Sequence, residues 1–172
     1  MIIYFWKGEL SMDNVSKFKE VMGNYPTGVT VVTTIDENGT PLGLTVNSFA
    51  SVSIDPLMIL WSIDKKVSSY EPFTKTDKFA VHVLADDQAD ICSLFAMKGT
   101  DRFGSCEWKT SEHNLPIISG ALGVLQCKTH QAIEAGDHTI LVGEVIDIVS
   151  ENKDPLLYHR RKFGKIPGEF YK

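Results

Sequence analysis

The 172-residue sequence has no CxxC pair, and its three cysteines, Cys92, Cys106 and Cys127, lie far apart. A disulfide framework or a cysteine zinc site needs even counts or tight spacing, so these read as reduced, mostly buried thiols of a cytoplasmic protein. Five histidines, His82, His113, His130, His138 and His159, show no HxxxH or HExxH spacing, and no metal is expected. Long hydrophobic runs are missing too. Stretches such as Leu57–Ile63 are under half of the roughly 20 residues that span a bilayer, so no membrane partner is expected. Positive charge is in deficit: 17 Lys and Arg face 22 Asp and Glu, for a formal net charge of −5. That balance argues against a nucleic-acid binder working by phosphate neutralisation. The GxGxxG, GxxxxGK[ST] and GxSxG signatures are absent, which removes a Rossmann or Walker nucleotide loop and a hydrolase elbow. A secretory signal is not expected, because the lysine of MIIYFWKGELSM follows its short apolar stretch and no small-residue cleavage site appears.

What is present is an ordinary globular composition. At 43% hydrophobic residues the chain can bury a sizeable core and is not disordered. No linker, repeat or low-complexity run divides it, so a single domain is expected over residues 12–172. Asp13-Asn14 supplies a helix cap just after Met12, followed by Val15, Phe18, Val21 and Met22 on one helical face. Residues 1–11 then read as a non-native or disordered extension from a misplaced start codon, since Lys7-Gly8-Glu9 can be encoded by a purine-rich ribosome-binding stretch. Intact-mass analysis of the natively expressed protein decides that point.

Beyond the helix, β-branched residues dominate. Strands are expected at Gly28–Ile35, Leu42–Val52, Leu57–Ile63, Lys78–Leu84, Ala121–Ala135 and His138–Val149. Asp36-Glu37-Asn38-Gly39, Asp55-Pro56 and Gly136-Asp137 supply turns between them. A short helix capped by Ser68 or Ser69 has Pro72 in its tolerant first turn. Another, capped by Asp86 or Asp87, carries Ile91, Leu94 and Phe95 inward. Five or six strands with mostly hairpin-sized connections predict a mainly β protein, an antiparallel barrel with short helices.

Three segments carry more polarity than a core needs. In Leu44-Thr45-Val46-Asn47-Ser48-Phe49, alternation puts Thr45, Asn47 and Phe49 on one face and Val46, Ser48 and Ala50 on the other. This is either a solvated face or a strand that hydrogen-bonds a planar heterocycle. Ser62 to Tyr70 runs off a strand into a helix start with Lys65, Lys66, Ser68 and Ser69. It is either a capped helix with a solvated lysine pair or a phosphate site built from free N–H groups, hydroxyls and a cation. His138, straight after a tight turn, is an exposed loop histidine or the cap of a pocket, donating to a carboxamide or a phosphate.

Taken together, these segments resemble the flavin reductase family of FMN-binding split barrels. The resemblance rests on Pro26-Thr27-Gly28-Val29, Leu44 to Phe49, Ser51-Val52-Ser53, Asp55-Pro56, Phe79 to Leu84 with Asp87-Gln88, and Phe95-Ala96. Arg102-Phe103, Gly136 to Ile140 with Gly143-Glu144-Val145, Pro155 to Tyr158 and Arg160 complete it, in register over roughly residues 15–166. The resemblance implies a six-stranded antiparallel split barrel, a homodimer, and NAD(P)H-dependent reduction of FMN or FAD. It also implies a separate monooxygenase component that receives the reduced flavin.

Carried over by position, Leu44, Thr45, Val46, Asn47, Ser48 and Phe49 line the isoalloxazine and ribityl chain. Ser62, Lys65, Ser68 and Ser69 hold the ribityl and phosphate end. His138 takes the nicotinamide side as the catalytic residue, and Tyr158 and Arg160 touch the pyridine nucleotide, NADH or NADPH. The family often has a glycine after that arginine; here Arg161 stands, as a solvated side chain or a contact for a 2′-phosphate. Two other functions share the fold: a flavin-carrying electron-transfer protein, and a reductase that uses tightly bound flavin on another acceptor.

Overall fold

The computed structural model describes residues 12–171; the extension expected over residues 1–11 lies outside them. Helix α1 spans Met12–Asn24 and is followed by β1 (Thr27–Gly28), β2 (Thr30–Ile35), β3 (Pro41–Val46), β4 (Ala50–Ile54) and β5 (Leu57–Asp64). Next come α2 (Tyr70–Lys75), β6 (Lys78–Val83) and α3 (Ala89–Ala96), then β7 (Trp108–Thr110) and β8 (Pro116–Ile118). Two long strands, β9 (Gly123–Ala135) and β10 (His138–Ser150), precede the short β11 (Leu157–His159) and β12 (Lys162–Gly164).

The principal sheet is antiparallel in the order β3-β2-β6-β9-β10-β5-β4. Its count is seven, not the expected six, because the single strand read over 42–52 breaks at residues 47–49. The break puts β3 and β4 on opposite edges of the sheet, joined by only those three residues. Laid flat, seven strands would hold their outer edges about 29 Å apart. The link from Val46 to Ala50 reaches at most about 14 Å. The sheet must therefore curl until its edges approach, although the ladder is not closed by any β3–β4 pairing.

Alternation along the buried strands feeds two cores. Val32, Trp61, Phe73, Phe79, Val81 and Leu141 cluster on one face. Trp61 meets Phe73 and Phe79 edge-on, at 5.4 and 5.8 Å between ring centroids, an arrangement that aromatic rings favour. Val31, one residue from Val32, points the opposite way to join Val29, Leu84, Cys92, Phe95, Ile118 and Leu156 under α3. Strand β2 is buried on both faces, which explains why its sequence is a continuous β-branched run. His82 is wholly buried between β2 and β8: its Nδ1–H donates to the Val31 carbonyl and its Nε2 accepts the Ile118 amide. Burial pushes its pKa down to about 4, so it is a neutral structural histidine.

Several expected details shift. The N-cap of α3 is Gln88, not Asp86 or Asp87; Asp86 instead pairs with Lys165 at 2.6 Å. The Gln88 amide accepts from Ala85 N–H and donates to the Ser119 carbonyl, pinning the helix start from inside. Ile91 and Leu94 face inward as expected but only partly, while Cys92 and Phe95 form the buried stripe. Ser69 caps α2 by position, without a side-chain hydrogen bond. Tail strands β11 and β12 join β1 in a separate three-stranded sheet.

Helix α1 has the predicted apolar face but buries none of it. Val15, Phe18, Val21 and Met22 are all exposed. No helix among the described residues is long and apolar enough to cross a membrane.

Candidate active site

Strand β3 is the origin of the site. As an edge strand it pairs with β2 on one side only, so its other backbone groups lie outside the ladder; of these the Gly43 carbonyl accepts from Arg102, and the Val46 carbonyl also accepts from the Thr30 hydroxyl. Leu44 points into the core at 8% exposure, and Thr45 points the other way. The Thr45 hydroxyl donates to the Cys92 carbonyl at 2.7 Å, fastening β3 to α3. Close approach of the two elements depends on Gly43, where a Cβ would lie 2.5 Å from the Phe95 ring. Arg102 supports the same corner by donating to the Gly43 and Met97 carbonyls, and burial lowers its pKa.

Past Val46 the alternation stops, because the chain leaves the sheet. Asn47 is exposed, whereas Phe49 turns inward and packs with Val46 against the main core. The sequence placed Phe49 on the face of Thr45; the break at residues 47–49 moves it. Ser48 closes the corner. Its Oγ accepts the Ser62 amide at 2.9 Å and donates to the Ser62 carbonyl at 3.1 Å, tying the end of β3 to β5.

Asn47 forms part of three adjoining clefts. One, of ≈ 340 Å³, is a slot whose walls include Val29, Thr45, Val46, Cys92, Tyr158 and Phe163. A second, also ≈ 340 Å³, is bounded by Pro26, Thr27, Gly28, Thr30 and Phe49. The third, ≈ 710 Å³, lies between α1 and the tail, with Tyr158, Arg160 and Arg161 on one side and Phe18, Met22 and Gly23 on the other. Tyr158 and Phe163 are cross-strand neighbours with ring centroids 5.8 Å apart. Arg160 is held by its amide to the Gly23 carbonyl and by its Nε to Asn24 Oδ1. Sequence reasoning found Tyr158 and Arg160 but not Gly23, Asn24, Cys92 or Phe163. Nothing in the local pattern marks a helix C-terminus as the support for an arginine over 130 residues later.

A second group gathers at the far end of β5. The Lys65 amide donates to the Asp137 carbonyl, the Lys66 amide to Asp64 Oδ1 and the Val67 amide to the Asp64 carbonyl. The amides and hydroxyls of Ser68 and Ser69 are left without a partner among the described residues. Lys65 Nζ reaches Glu134 at 3.2 Å. The expected row of free amides is therefore narrowed to Ser68 and Ser69, because Asp64 and Asp137 satisfy the others.

His138 pairs across the sheet with Asp64, next to this loop. Its Nδ1 sits 2.8 Å from Asp137 Oδ1. An ionised carboxylate only accepts, so Nδ1 carries the proton and Nε2 of the neutral ring is an acceptor. The same hydrogen bond holds the Asp137 carboxyl below the usual carboxylate range. The sequence reading of His138 as a donor is thus reversed for the neutral ring.

The structure gathers Thr45, Val46 and Asn47 with Tyr158 and Arg160, and separately Ser62, Lys65, Ser68 and Ser69 with His138. Ser48 links the two groups. The clefts lined by Tyr158 and Arg160 do not include His138. Among the described residues no group of three or more His, Cys, Asp or Glu side chains is placed to hold a metal ion.

Residues 22–167 match the family model described as "Flavin reductase like domain". The reductase component of a flavin-dependent trigonelline monooxygenase from Acinetobacter baylyi is 45% identical over 152 residues, covering 87% of this chain and 49% of the relative. The chain thus spans about half the length of that relative. The FMN reductase (NADH) SmoA from Agrobacterium fabrum is 40% identical over 89% of this chain and 87% of its own. Among solved structures, the Streptomyces globisporus NADH:FAD oxidoreductase SgcE6, in complex with NAD and FAD fragments, superposes with a TM-score of 0.85 at 33% identity. The match covers 93% of this chain and 97% of that one.

Proposed function

Because the chain belongs to the flavin reductase-like domain family, we propose that it is an NAD(P)H-dependent flavin oxidoreductase that reduces FMN or FAD. The observation that carries this reading is the position of Asn47 at the end of edge strand β3, shared by three clefts, two of them lined by Tyr158 and one of those also by Arg160. The slot suits a planar ring: apolar side chains and a backbone edge border it, and Asn47 adds a donor and an acceptor. The hydroxyls of Thr45 and Ser48 are already engaged within the protein. Recognition of the ring's carbonyls and N–H then rests on β3 backbone and Asn47.

When bound, the flavin supplies at N5 the acceptor for a hydride from the dihydronicotinamide C4. The chain's own residues bind and align. Ser68 and Ser69, with Lys65, hold the phosphate end of the flavin. Tyr158 and Arg160 hold the pyridine nucleotide. His138, its tautomer fixed by Asp137, accepts a hydrogen bond from the carboxamide and orients the nicotinamide. Hydride transfer needs no protein acid or base, so alignment is the main contribution.

The quaternary reading follows from two observations. Helix α1 leaves its apolar face uncovered, and short isolated helices are marginal in water. The nicotinamide residues also fall in two groups on one chain. A homodimer that covers α1 and completes the pocket accounts for both. Counting β3 and β4 as halves of one bent strand gives the curled sheet six staves, the six-stranded split barrel of the family. The relatives named as a reductase component and a reductase subunit of flavin-dependent monooxygenases support a separate monooxygenase as acceptor of the reduced flavin.

Anaerobic mixing with NADH or NADPH and free FMN or FAD tests the reading through loss of the flavin's visible absorbance. Bleaching at catalytic protein concentrations is the expected result. A protein that retains flavin but is not reduced by either nucleotide is instead an electron-transfer carrier.

A further inference from the structure

The turn between β11 and β12 breaks a local rule. His159 pairs directly with Lys162, so Arg160 and Arg161 are the two central residues of a tight hairpin. Both have left-handed backbone, with φ of 49° and 63°. Such turns are dominated by Asn and Gly, because a Cβ is crowded there. Two successive arginines carry that strain at the mouth of the ≈ 710 Å³ cleft. Strain of this kind collects at ligand sites.

The two side chains are not equivalent. Arg160 is fixed by Asn24 and the Gly23 carbonyl. Arg161 has no hydrogen bond or ion pair among the described residues, although it lines the same cleft. Lys19 adds a third cation, and Glu20 is the single carboxylate among the lining residues. In a chain of net charge −5 this is a local concentration of positive charge. It borders Asn47 and Tyr158, where the pyridine nucleotide is placed, and it is not formed by the Ser68–Ser69 loop assigned to the flavin phosphate.

We propose that Arg161 is a specificity-determining residue that reads the 2′-phosphate of the reductant, so that the chain favours NADPH over NADH. The inference rests on the reductase reading above. A planar guanidinium matches a terminal phosphate with two parallel hydrogen bonds, which the fixed Arg160 cannot also supply while it holds the diphosphate common to both nucleotides. The chain then differs from its 40% identical relative named for NADH.

The experiment measures kcat/KM for NADPH and NADH with the full chain and with Arg161→Gln. The NADPH/NADH ratio should exceed one and fall about tenfold in the variant; a fall of less than threefold overturns the proposal. Binding of adenosine 2′,5′-bisphosphate and of adenosine 5′-monophosphate, which differ only in the 2′-phosphate, to the unaltered protein provides a readout that needs neither turnover nor a variant. The bisphosphate should bind at least tenfold more tightly, and equal affinities overturn the proposal. If neither nucleotide reduces flavin, the reductase reading fails, while the bisphosphate comparison still decides the phosphate site.

Discussion

The hydroxyl of Ser48 sits between the amide and the carbonyl of Ser62, 2.9 Å from the nitrogen and 3.1 Å from the oxygen. One side chain thus replaces a strand residue, giving β5 the donor and acceptor that a neighbouring backbone would have given. It also ties the end of β3, on one half of the site, to β5 on the other.

Ser48→Ala should leave both Ser62 groups without that partner. A loss of about 1–3 kcal/mol in unfolding free energy is expected from denaturant melts. Flavin affinity, followed by fluorescence quenching, should fall about tenfold, because the ring and phosphate ends are no longer held in register. An affinity unchanged within twofold would sink the idea that this clasp aligns the halves.

His138→Ala should raise the KM for reduced nicotinamide nucleotide by tenfold or more and change flavin affinity by less than twofold. Steady-state kinetics and flavin titration measure the two. The reverse pattern would assign His138 to the flavin instead. Asp137→Asn should move the same parameter in the same direction by a smaller factor, since it replaces an acceptor-only carboxylate with an amide that can accept from or donate to Nδ1 and so no longer fixes the ring's tautomer.

Gly43→Ala should cost about 1–3 kcal/mol, as the new methyl would lie within 2.5–2.7 Å of the Phe95 ring. The strain falls where α3 packs on β3, so the slot beneath Asn47 should deform with it. Denaturant melts and flavin titration should both show loss. Retained stability would mean the Phe95 ring yields freely.

Stability should depend on pH through His82. Its folded pKa of about 4 lies below the ordinary 6.5, so the unfolded chain binds the proton more readily. This contribution is therefore intact above about pH 6.5 and is lost as the pH falls toward 4, by on the order of 3 kcal/mol. Urea melts across that window should show the decline. His82→Asn should be less stable at neutral pH and should flatten the slope.

Legibility in the sequence followed the range of the forces involved. Strands β5, β9 and β10 announce themselves because their side-chain patterns are local, and Asp36 organises its turn through its own carboxylate on the Asn38 and Thr40 amides. The break between β3 and β4 was not readable, since the alternation runs on through it and the contact that bends it lies at Ser62. The cap of α3 was missed for the same reason: Asp86 is drawn away by Lys165. Strands β1, β11 and β12, two or three residues each, are too short to show any period. At the site, the polar segments were identifiable from composition, whereas the roles of their atoms were not. Thr45 and Ser48 looked free for a ligand and are engaged in the fold.

The unclosed seam of the sheet has an implication for how this pocket tolerates change. Amides and carbonyls along the outer edge of β3 belong to every residue except proline that could stand there, so a change of side chain leaves them in place. On the reductase reading proposed above, side chains around the mouth can then drift, and preference for one reductant or another with them, while main-chain contacts to a flat heterocycle persist. Recognition written into the main chain is conserved by geometry, and only the periphery is left for selection to edit.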